Sequence, residues 1–200
     1  DLQRRAAAIA PTIQFKSSAF WNSIVPIDFE PVVKPALLDQ LSGVIIGSTG
    51  RFRGKKGMEN LMDACAELST EIDITLLLVG DFVDKERAYW EQEVQQCNLG
   101  DRLRITGILS RAEALAYLPH LDIFAIPSFH DGCPNAMLEA MLAGCPIVGS
   151  KVDAIGEILA DGKSGLMVEP GDTDALKAAL KQLATDPQLR QTLGAGARQK

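Results

Sequence analysis

The sequence predicts an α/β fold, in which a Rossmann-like parallel sheet is covered by helices on both faces. From Gly43 onwards, short apolar runs rich in β-branched residues alternate with stretches whose apolar residues recur at helical spacing. This alternation is typical of a parallel sheet, because the chain must cross back over the sheet between strands. The composition agrees, since 46% hydrophobic and 23% charged residues are ordinary for a globular protein.

Three strand–helix units are predicted in the first half of this alternating region. Their strands are the apolar runs Gly43–Ile46, Ile74–Val79 and Leu103–Thr106. Each strand is followed by an amphipathic stretch that we interpret as a helix, at 58–68, 86–96 and 110–118. The last of these helices begins with a capping box, in which Ser110 stands three residues before Glu113.

The second half of this region continues the same alternation with shorter elements. A strand at Ile123–Ile126 precedes a helix that is predicted to start near Asn135 and to end at Gly144. The remaining elements are a strand, a short helix, a strand and an amphipathic helix capped by Asp172. The first three are predicted at Pro146–Gly149, Ile155–Ala160 and Gly165–Val168, and the last carries Leu176, Leu180 and Leu183 on one face.

Residues 1–42 do not share this alternation. Four prolines interrupt their short apolar clusters, so we predict a lead-in or interdomain segment with room for one helix and one strand. Residues 43–200 are predicted to form the ligand-binding domain. Because the chain starts at Asp1 and its last residues continue a helical pattern, we expect a fragment of a longer protein.

The charge and the cysteines restrict the possible partners. A net charge of −6 argues against nucleic acid and against a general membrane surface, because those partners require a broad positive potential. The four cysteines lack the paired spacing of a zinc site, and we interpret them as reduced thiols of a cytoplasmic protein. No apolar run approaches the roughly 18 residues that a membrane helix needs. Membrane contact is therefore expected only from a part of the protein outside this chain.

Ligands of such sheets bind beyond the carboxyl ends of the strands, where five loops are predicted to share one rim. These are 47–57, 80–84, 107–110, 127–135 and 149–156. The first, GSTGRFRGKKG, combines four glycines with four cations. It is not a P-loop, because three rather than four residues separate Gly50 from Gly54 and no hydroxyl follows Lys55. It matches a dinucleotide fingerprint only weakly, and by spacing alone it could also be a solvated loop.

The loop and helix at 127–145 carry a second candidate site. Asp131 in the loop and Glu139 in the helix are separated by seven residues, so both carboxylates can approach one pocket. Between them, the amides of Asn135–Leu138 are predicted to form the open first turn of a helix, whose N–H groups and dipole suit a phosphate. A surface carboxylate at Glu139 is the alternative, but the apolar residues around it favour a buried partner. Asp131 could instead be a simple turn former.

These motifs resemble those of the family-4 retaining glycosyltransferases of the GT-B fold. The segment is similar to their E-x7-E donor motif, and the cationic loop is similar to their G-R-x-x-x-x-K-G. The resemblance covers about residues 43–195 and includes several motifs in the same order. The matching residues are Gly50, Arg51, Lys56 and Gly57, then Pro127, Ser128, Gly132, Leu138, Glu139, Ala140, Met141, Gly144 and Pro146.

The resemblance implies a nucleotide-sugar donor-binding domain at 43–200. Arg51 and Lys56 would neutralise the donor diphosphate, Glu139 would bind the ribose hydroxyls and Asp131 would hold the transferred sugar. Neighbouring groups would complete the donor site, and the loop after Gly107 would meet the base. These groups belong to Gly50, Ile108, Gly132, Cys133, Pro134, Asn135, Ala136, Met137 and Leu138.

The resemblance also implies that the reaction needs no metal and no cofactor. The acceptor would bind to an amino-terminal domain that is too large for 42 residues, so the isolated chain should bind a donor but transfer poorly. Three departures stand against the family pattern. Asp131 replaces a glutamate, Asp153–Glu157 lacks the two glycines of G-G-x-x-E, and Val25–Asp28 is a reduced form of P-N-G-V-D.

Two other functions remain open on the sequence alone. A nicotinamide-dependent oxidoreductase rests on the imperfect glycine pattern, with Asp81 as a loose match to its acidic residue. A regulatory or degenerate nucleotide-sugar sensor rests on Asp131 and the lost glycines. The sequence does not choose among UDP-, GDP- and ADP-sugars, and it does not identify the sugar or the acceptor.

Overall fold

The computed structural model of the chain describes Ile24, Phe29 and residues 33–200. These residues contain one sheet of six strands. The strands are β1 Val44–Phe52, β2 Ile74–Phe82, β3 Leu103–Ile105, β4 Ile123–Ile126, β5 Ile147–Ser150 and β6 Leu166–Val168.

The strands lie in the order β3-β2-β1-β4-β5-β6, and all neighbouring pairs are parallel. The predicted Rossmann-like parallel sheet is therefore confirmed. Strand β1 lies beside β4, and the chain builds outwards from this pair in opposite directions. A crevice for ligands is expected at this reversal, beyond the carboxyl ends of the two strands.

Seven α-helices cover the sheet within the described residues. They are α1 Met58–Leu68, α2 Arg87–Gln96, α3 Arg111–Leu115, α4 Asn135–Ala143, α5 Asp153–Ile158, α6 Thr173–Thr185 and α7 Pro187–Gln199. The predicted caps are confirmed. Ser110 and Glu113 form the capping box of α3, and the Asp172 side chain accepts a hydrogen bond from the Ala175 amide at 2.9 Å. Helix α4 ends at Gly144, whose φ of 77° lies in the left-handed region.

Alternate residues of the strands build two apolar cores, one on each face of the sheet. In β2, Leu76 and Leu78 belong to the core that includes α1 and α6, whereas Leu77 and Val79 belong to the core that includes α4. This division follows from the two-residue period of a strand. It also places α1 and α4, the helices that follow β1 and β4, on opposite faces of the sheet.

Strand β1 is longer than predicted. The predicted strand ended at Ile46, before the glycines. In the structure β1 and β2 stay paired as far as Phe52 and Phe82. These two rings are buried, and their centroids are 5.7 Å apart. Gly50 and Gly80 face each other with φ values of 139° and 138°, a region that is open essentially to glycine alone. The glycines therefore continue the strand, and the loop begins only at Arg53.

The lead-in is described only in part. Ala36–Gln40 forms a short 3-10 helix, and Leu38 is buried in the core beneath α4. The predictions of a strand in the lead-in and of a reduced motif at Val25–Asp28 fall mostly on residues outside the described part. None of the helices in the described ranges is long and apolar enough to cross a membrane.

Helix α7 supports the end of α4. The Arg198 guanidinium donates to the Leu142 and Ala143 carbonyls at 3.2 and 3.0 Å, which satisfies groups that a helix end leaves without partners. Gly194 allows this approach, because a Cβ there would lie 2.2 Å from the Gly144 carbonyl oxygen. The last helix therefore fixes the position of α4, which carries Glu139.

The paired glycines of β1 and β2 yield a prediction about stability. Gly50→Ala should cost roughly 1–3 kcal/mol of the free energy of unfolding, because its φ disfavours any side chain while no atom lies within 4 Å of the new Cβ. Gly80→Ala should cost about 1–3 kcal/mol more, because its Cβ would lie 1.9 Å from the Gly50 carbonyl oxygen. Urea unfolding of both variants measures the difference. Equal losses would contradict a tight approach of the two backbones.

Candidate functional site

A cleft lies where β1 and β4 end, at the reversal of the strand order. Arg51, Lys56, Ser128 and Ala136 line it together with residues of the two strands and the first residue of α1. The remaining lining residues are Ser48, Thr49, Phe52, Met58, Phe124 and Ile126. The two predicted cations and the start of the predicted phosphate-binding helix therefore share one concave surface.

Arg51 stands on strand β1 rather than in a loop. Its side chain is half exposed, and the guanidinium Nη2 lies 3.9 Å from Asp84 Oδ2. In the strand register Arg51 is opposite Asp81, but Asp81 is held by Arg87, whose Nη2 donates to Asp81 Oδ2 at 2.9 Å. The Asp81 carboxylate, which is opposite Arg51 in the ladder, is therefore already paired with Arg87.

Arg87 also controls the ionisation of Asp81. The Arg87 hydrogen bond favours the charged carboxylate and, with the Phe82 amide and smaller contributions from nearby charges, holds the pKa of Asp81 below its usual range. Sequence reasoning missed Arg87, which lies on the exposed side of an ordinary amphipathic helix. The sequence shows Gly80 and Asp81 before this helix, but nothing in it identifies the cation that binds the Asp81 carboxylate.

Lys56 lies at the end of a single 3-10 turn, Gly54–Lys56, which Gly57 ends with a φ of 67°. A Cβ at Gly57 would lie 2.1 Å from the Pro127 carbonyl oxygen, so only glycine lets this turn approach the end of β4. The Phe129 amide donates to the Lys55 carbonyl at 2.9 Å and ties the two loops together. Across this junction, the Lys56 ammonium forms an ion pair with the Asp131 carboxylate.

Asp131 is held from two sides. Its carboxylate is paired with Lys56, its side chain is only 13% exposed, and its amide donates to Asp153 Oδ2 at 3.1 Å. Asp153 stands at the first glycine position of the G-G-x-x-E pattern, and its φ of 40° lies in the left-handed region. The departure in sequence thus leaves the turn intact and adds a carboxylate that fixes the Asp131 loop. His130, which is 75% exposed, lies 3.7 Å from the same oxygen.

The start of α4 differs from the prediction in one respect. The amides of Met137 and Leu138 donate to the Pro134 carbonyl at 3.0 and 3.3 Å, so the helix itself uses them in its first turn. The prediction that all four amides of Asn135–Leu138 are open is therefore wrong for these two. Of the four, Ala136 lines the cleft.

Glu139 has a specific partner that the sequence did not name. Its side chain is 14% exposed, and Oε1 accepts hydrogen bonds from Arg111 Nε at 3.1 Å and from Nη2 at 2.8 Å. An apolar helix with one carboxylate did indicate that a partner was needed. Arg111 is 28 positions away in the chain, and only the tertiary structure brings it to Glu139.

The remaining predicted contacts lie around this centre. Ile108 is 65% exposed in the loop between β3 and α3, three residues before Arg111. Gly50 has open space beside it, whereas Gly132, Cys133 and Pro134 lead into α4. Ser128 is fully buried, and its hydroxyl has no hydrogen-bond partner among the described residues, although it lines the cleft. Among the same residues, no cluster of three or more His, Cys, Asp or Glu side chains could hold a metal ion.

The glycines at 47–54 do not form a dinucleotide-binding turn. Gly47 and Gly50 lie within β1, and Gly54 begins the 3-10 turn that follows. A dinucleotide fingerprint requires its glycines at the tight turn between a strand and a helix. The pattern that suggested an oxidoreductase is therefore part of the strand pairing.

The family model described as "Glycosyl transferases group 1" matches residues 34–200. A 2-deoxystreptamine glucosyltransferase of Streptomyces kanamyceticus is 34% identical over 167 residues, which are 81% of this chain and 42% of that protein. The chain spans about half the length or less of the curated relatives it matches.

Two solved structures are similar to this fold. The C-terminal domain of the group 1 glycosyl transferase LpcC from Francisella tularensis is 25% identical, with a TM-score of 0.74 over 84% of this chain and 93% of that chain. Anabaena HepE in complex with UDP-glucose is also 25% identical, with a TM-score of 0.74 over 82% of this chain and 46% of that chain.

The Asp81–Arg87 pair predicts a pH-dependent contribution to stability. Because Arg87 lowers the pKa of Asp81 in the folded state, the pair stabilises the fold above the ordinary aspartate pKa of about 3.9. This contribution is lost as the pH falls further, through the lower pKa of the folded state. Asp81→Asn should therefore unfold at lower urea than the parent at pH 7, and the difference should shrink below about pH 4.

The control is Asp101→Asn, which removes a carboxylate whose side chain is fully exposed beside Arg104. That pair should contribute little to stability. A gap between parent and Asp81→Asn that stays constant from pH 7 to pH 3 would contradict the proposed link to Arg87.

Proposed function

This chain belongs to the glycosyl transferases group 1 family, and from that membership we propose that it is the donor-binding domain of a retaining, metal-independent glycosyltransferase. Its donor would be a nucleotide sugar, and the group transferred would be a hexosyl group. The observation that carries this proposal is the cleft at the β1–β4 reversal. Arg51 and Lys56 line it from β1 and the turn that follows β1. Ala136 lines it from α4, which belongs to a different crossover of the sheet.

The cleft itself has a volume of only about 20 Å³, so the diphosphate would bind across its mouth, between these two cations and the start of α4. Lys56 already faces Asp131, but an ammonium has three N–H donors and can serve a carboxylate and a phosphate oxygen together. Arg51 is only loosely associated with Asp84 at 3.9 Å, so its five N–H donors can turn towards an anion at little cost. Ala136, whose amide lies in the first turn of the helix, would add the positive end of the helix dipole.

The nucleoside would extend from the diphosphate towards Glu139 and the loop around Ile108. Glu139 is assigned to the ribose hydroxyls from its place in the E-x7-E pattern, and the exposed Ile108 offers an apolar surface beside the loop backbone that would meet the base. Uridine is the first nucleoside to test, because the similar structure of HepE was solved with UDP-glucose. The identity of the sugar and of the acceptor is left open by this proposal.

Asp131 would hold the transferred sugar. Its ion pair with Lys56 keeps a carboxylate acceptor next to the cation that would bind the leaving diphosphate. In the reaction the bond between the anomeric carbon and the diphosphate oxygen breaks, and its electron pair stays with the diphosphate. Arg51 and Lys56 would stabilise that developing charge, while the acceptor hydroxyl oxygen forms its bond on the same face of the sugar and its proton passes to the departing diphosphate oxygen.

The acceptor site is proposed from the length of the relatives, and the cellular compartment is proposed from the cysteines. Since the relatives are about twice as long or longer, we propose that another domain of the protein binds the acceptor and completes the active site. The four cysteines form no disulfide with one another, which favours a reducing compartment such as the cytoplasm.

A nucleotide-sugar-binding module without transferase activity is the second candidate. Two departures favour it, because Asp131 has a shorter reach than glutamate and Asp153 adds a carboxylate behind it. Both candidates predict donor binding, so binding does not distinguish them. Turnover of UDP-glucose by this chain together with the proposed acceptor-binding domain would support the transferase, and binding without turnover of any UDP-, GDP- or ADP-sugar would support the module.

Calorimetric titration of the chain with UDP tests the site. Arg51→Ala and Lys56→Ala should each weaken binding by about tenfold or more, the loss expected for one hydrogen bond to a charged group. Arg53→Ala and Lys55→Ala are matched controls, because they remove the neighbouring exposed cations and should leave the affinity within about twofold. Equal losses in all four variants would reduce the site to a general positive surface, and no binding of UDP, GDP or ADP by the parent would refute the proposal.

Asp131 predicts a difference between two ligands. Asp131→Asn should retain or slightly improve UDP binding, because Lys56 is released from its carboxylate partner. The same variant should lose any advantage that UDP-glucose has over UDP in the parent, because its carboxylate acceptor for the sugar is gone. Parallel titrations with the two ligands measure this. An unchanged ratio of the two affinities would show that Asp131 does not contact the sugar.

A further inference from the structure

The contact between Arg111 and Glu139 links two parts of the proposed donor site. Glu139 lies in α4 after the predicted phosphate end, and Arg111 is the first residue of α3, after the loop that contains Ile108. Arg111 Nε and Nη2 both donate to Glu139 Oε1, at 3.1 and 2.8 Å. We propose that Arg111 is a positioning residue, which orients Glu139 to accept the ribose hydroxyls of a nucleoside diphosphate. This inference rests on the proposed donor function.

Glu139 needs such a partner to keep one orientation. Its neighbours in α4 are apolar, and Ala140 beside it is fully buried. A glutamate side chain has several rotamers, and most of its freedom is lost when it must face one ligand. Two hydrogen bonds to one oxygen restrict the carboxylate before any ligand arrives, so less freedom remains to be lost on binding.

The backbone around Arg111 is itself fixed. Ser110 is the N-cap of α3, and its amide donates to Glu113 Oε2 at 2.9 Å while its hydroxyl accepts from the Glu113 amide at 3.3 Å. This capping box sets the direction in which the chain enters the helix, and Arg111 follows it directly. The guanidinium therefore starts from a defined point, next to the loop that is proposed to meet the base.

The geometry leaves room for a hydroxyl at Glu139. An ionised carboxylate offers about four lone-pair positions, and Arg111 occupies two of them, both on Oε1. Oε2 receives neither of these bonds, so it is the oxygen that we assign to the ribose.

A role in stability alone does not account for this pair. The Arg111 side chain is 63% exposed, and ion pairs with such exposure contribute little to folding. Glu139 is 14% exposed, so it is the member of the pair whose orientation is restricted by the protein. The pair is therefore expected to affect ligand binding more than folding.

The test compares UDP with 2′,3′-dideoxy-UDP, which lacks both ribose hydroxyls, by calorimetric titration of the same chain. Arg111→Ala should weaken UDP binding about three- to tenfold and leave the affinity for the dideoxy compound unchanged. Glu139→Gln should show the same pattern, and the double variant should lose no more than Glu139→Gln alone, because both changes act through one carboxylate. Arg111→Lys should restore part of the loss.

Arg102→Ala is the matched control, since it removes an arginine that pairs with Asp73 at 3.0 Å on the surface, and it should change neither affinity. Equal weakening of both ligands by Arg111→Ala would indicate a structural role and overturn the inference. Tighter UDP binding by Arg111→Ala would show that the arginine competes with the ribose, which also overturns it. If the parent itself binds UDP no better than the dideoxy compound, the role of Glu139 fails, whereas absence of any nucleotide binding refutes the proposed function.

Discussion

The site depends on strands β1 and β4 lying side by side while the helices that follow them pack on opposite faces of the sheet. The loops after these strands must diverge, and the space between them becomes a cleft. Lys56 and Ala136 reach this cleft from its two sides, and Arg51 enters it from the end of β1 itself. No local property of either loop would produce this arrangement without the strand order.

The second constraint is close backbone contact, for which the chain uses glycine. Gly80 lets β2 follow β1 beyond the rest of the sheet, and Gly57 lets the Lys56 turn touch the end of β4. Asp153 shows that the same conformation does not require glycine at every site, because aspartate tolerates a positive φ and its carboxylate binds the Asp131 amide. Aspartate at position 153 therefore restricts the backbone more than glycine would, and it also holds the Asp131 loop in place.

The cations around the site are matched by carboxylates. Lys56 faces Asp131, Arg87 holds Asp81, and Arg111 holds Glu139. Such pairing keeps the three carboxylates, which are each less than one fifth exposed, from standing alone. It also fixes the orientation of each group, so that a bound anion or hydroxyl meets side chains that are already in position. Arg51, at 3.9 Å from its nearest carboxylate, is the most weakly held of the cations named here.

The sequence by itself determined the parallel sheet, most helix bounds within a few residues, the caps at Ser110 and Asp172, and the rim that carries Arg51 and Lys56. These follow from hydrophobic period and local capping, which act over a few neighbouring residues. Only the tertiary structure decided that Gly47–Phe52 extends β1, that Asp153 binds the Asp131 amide, and that Arg111 pairs with Glu139. Those features depend on residues distant in sequence, such as Arg111 and Glu139, which become neighbours only when the strand order is set.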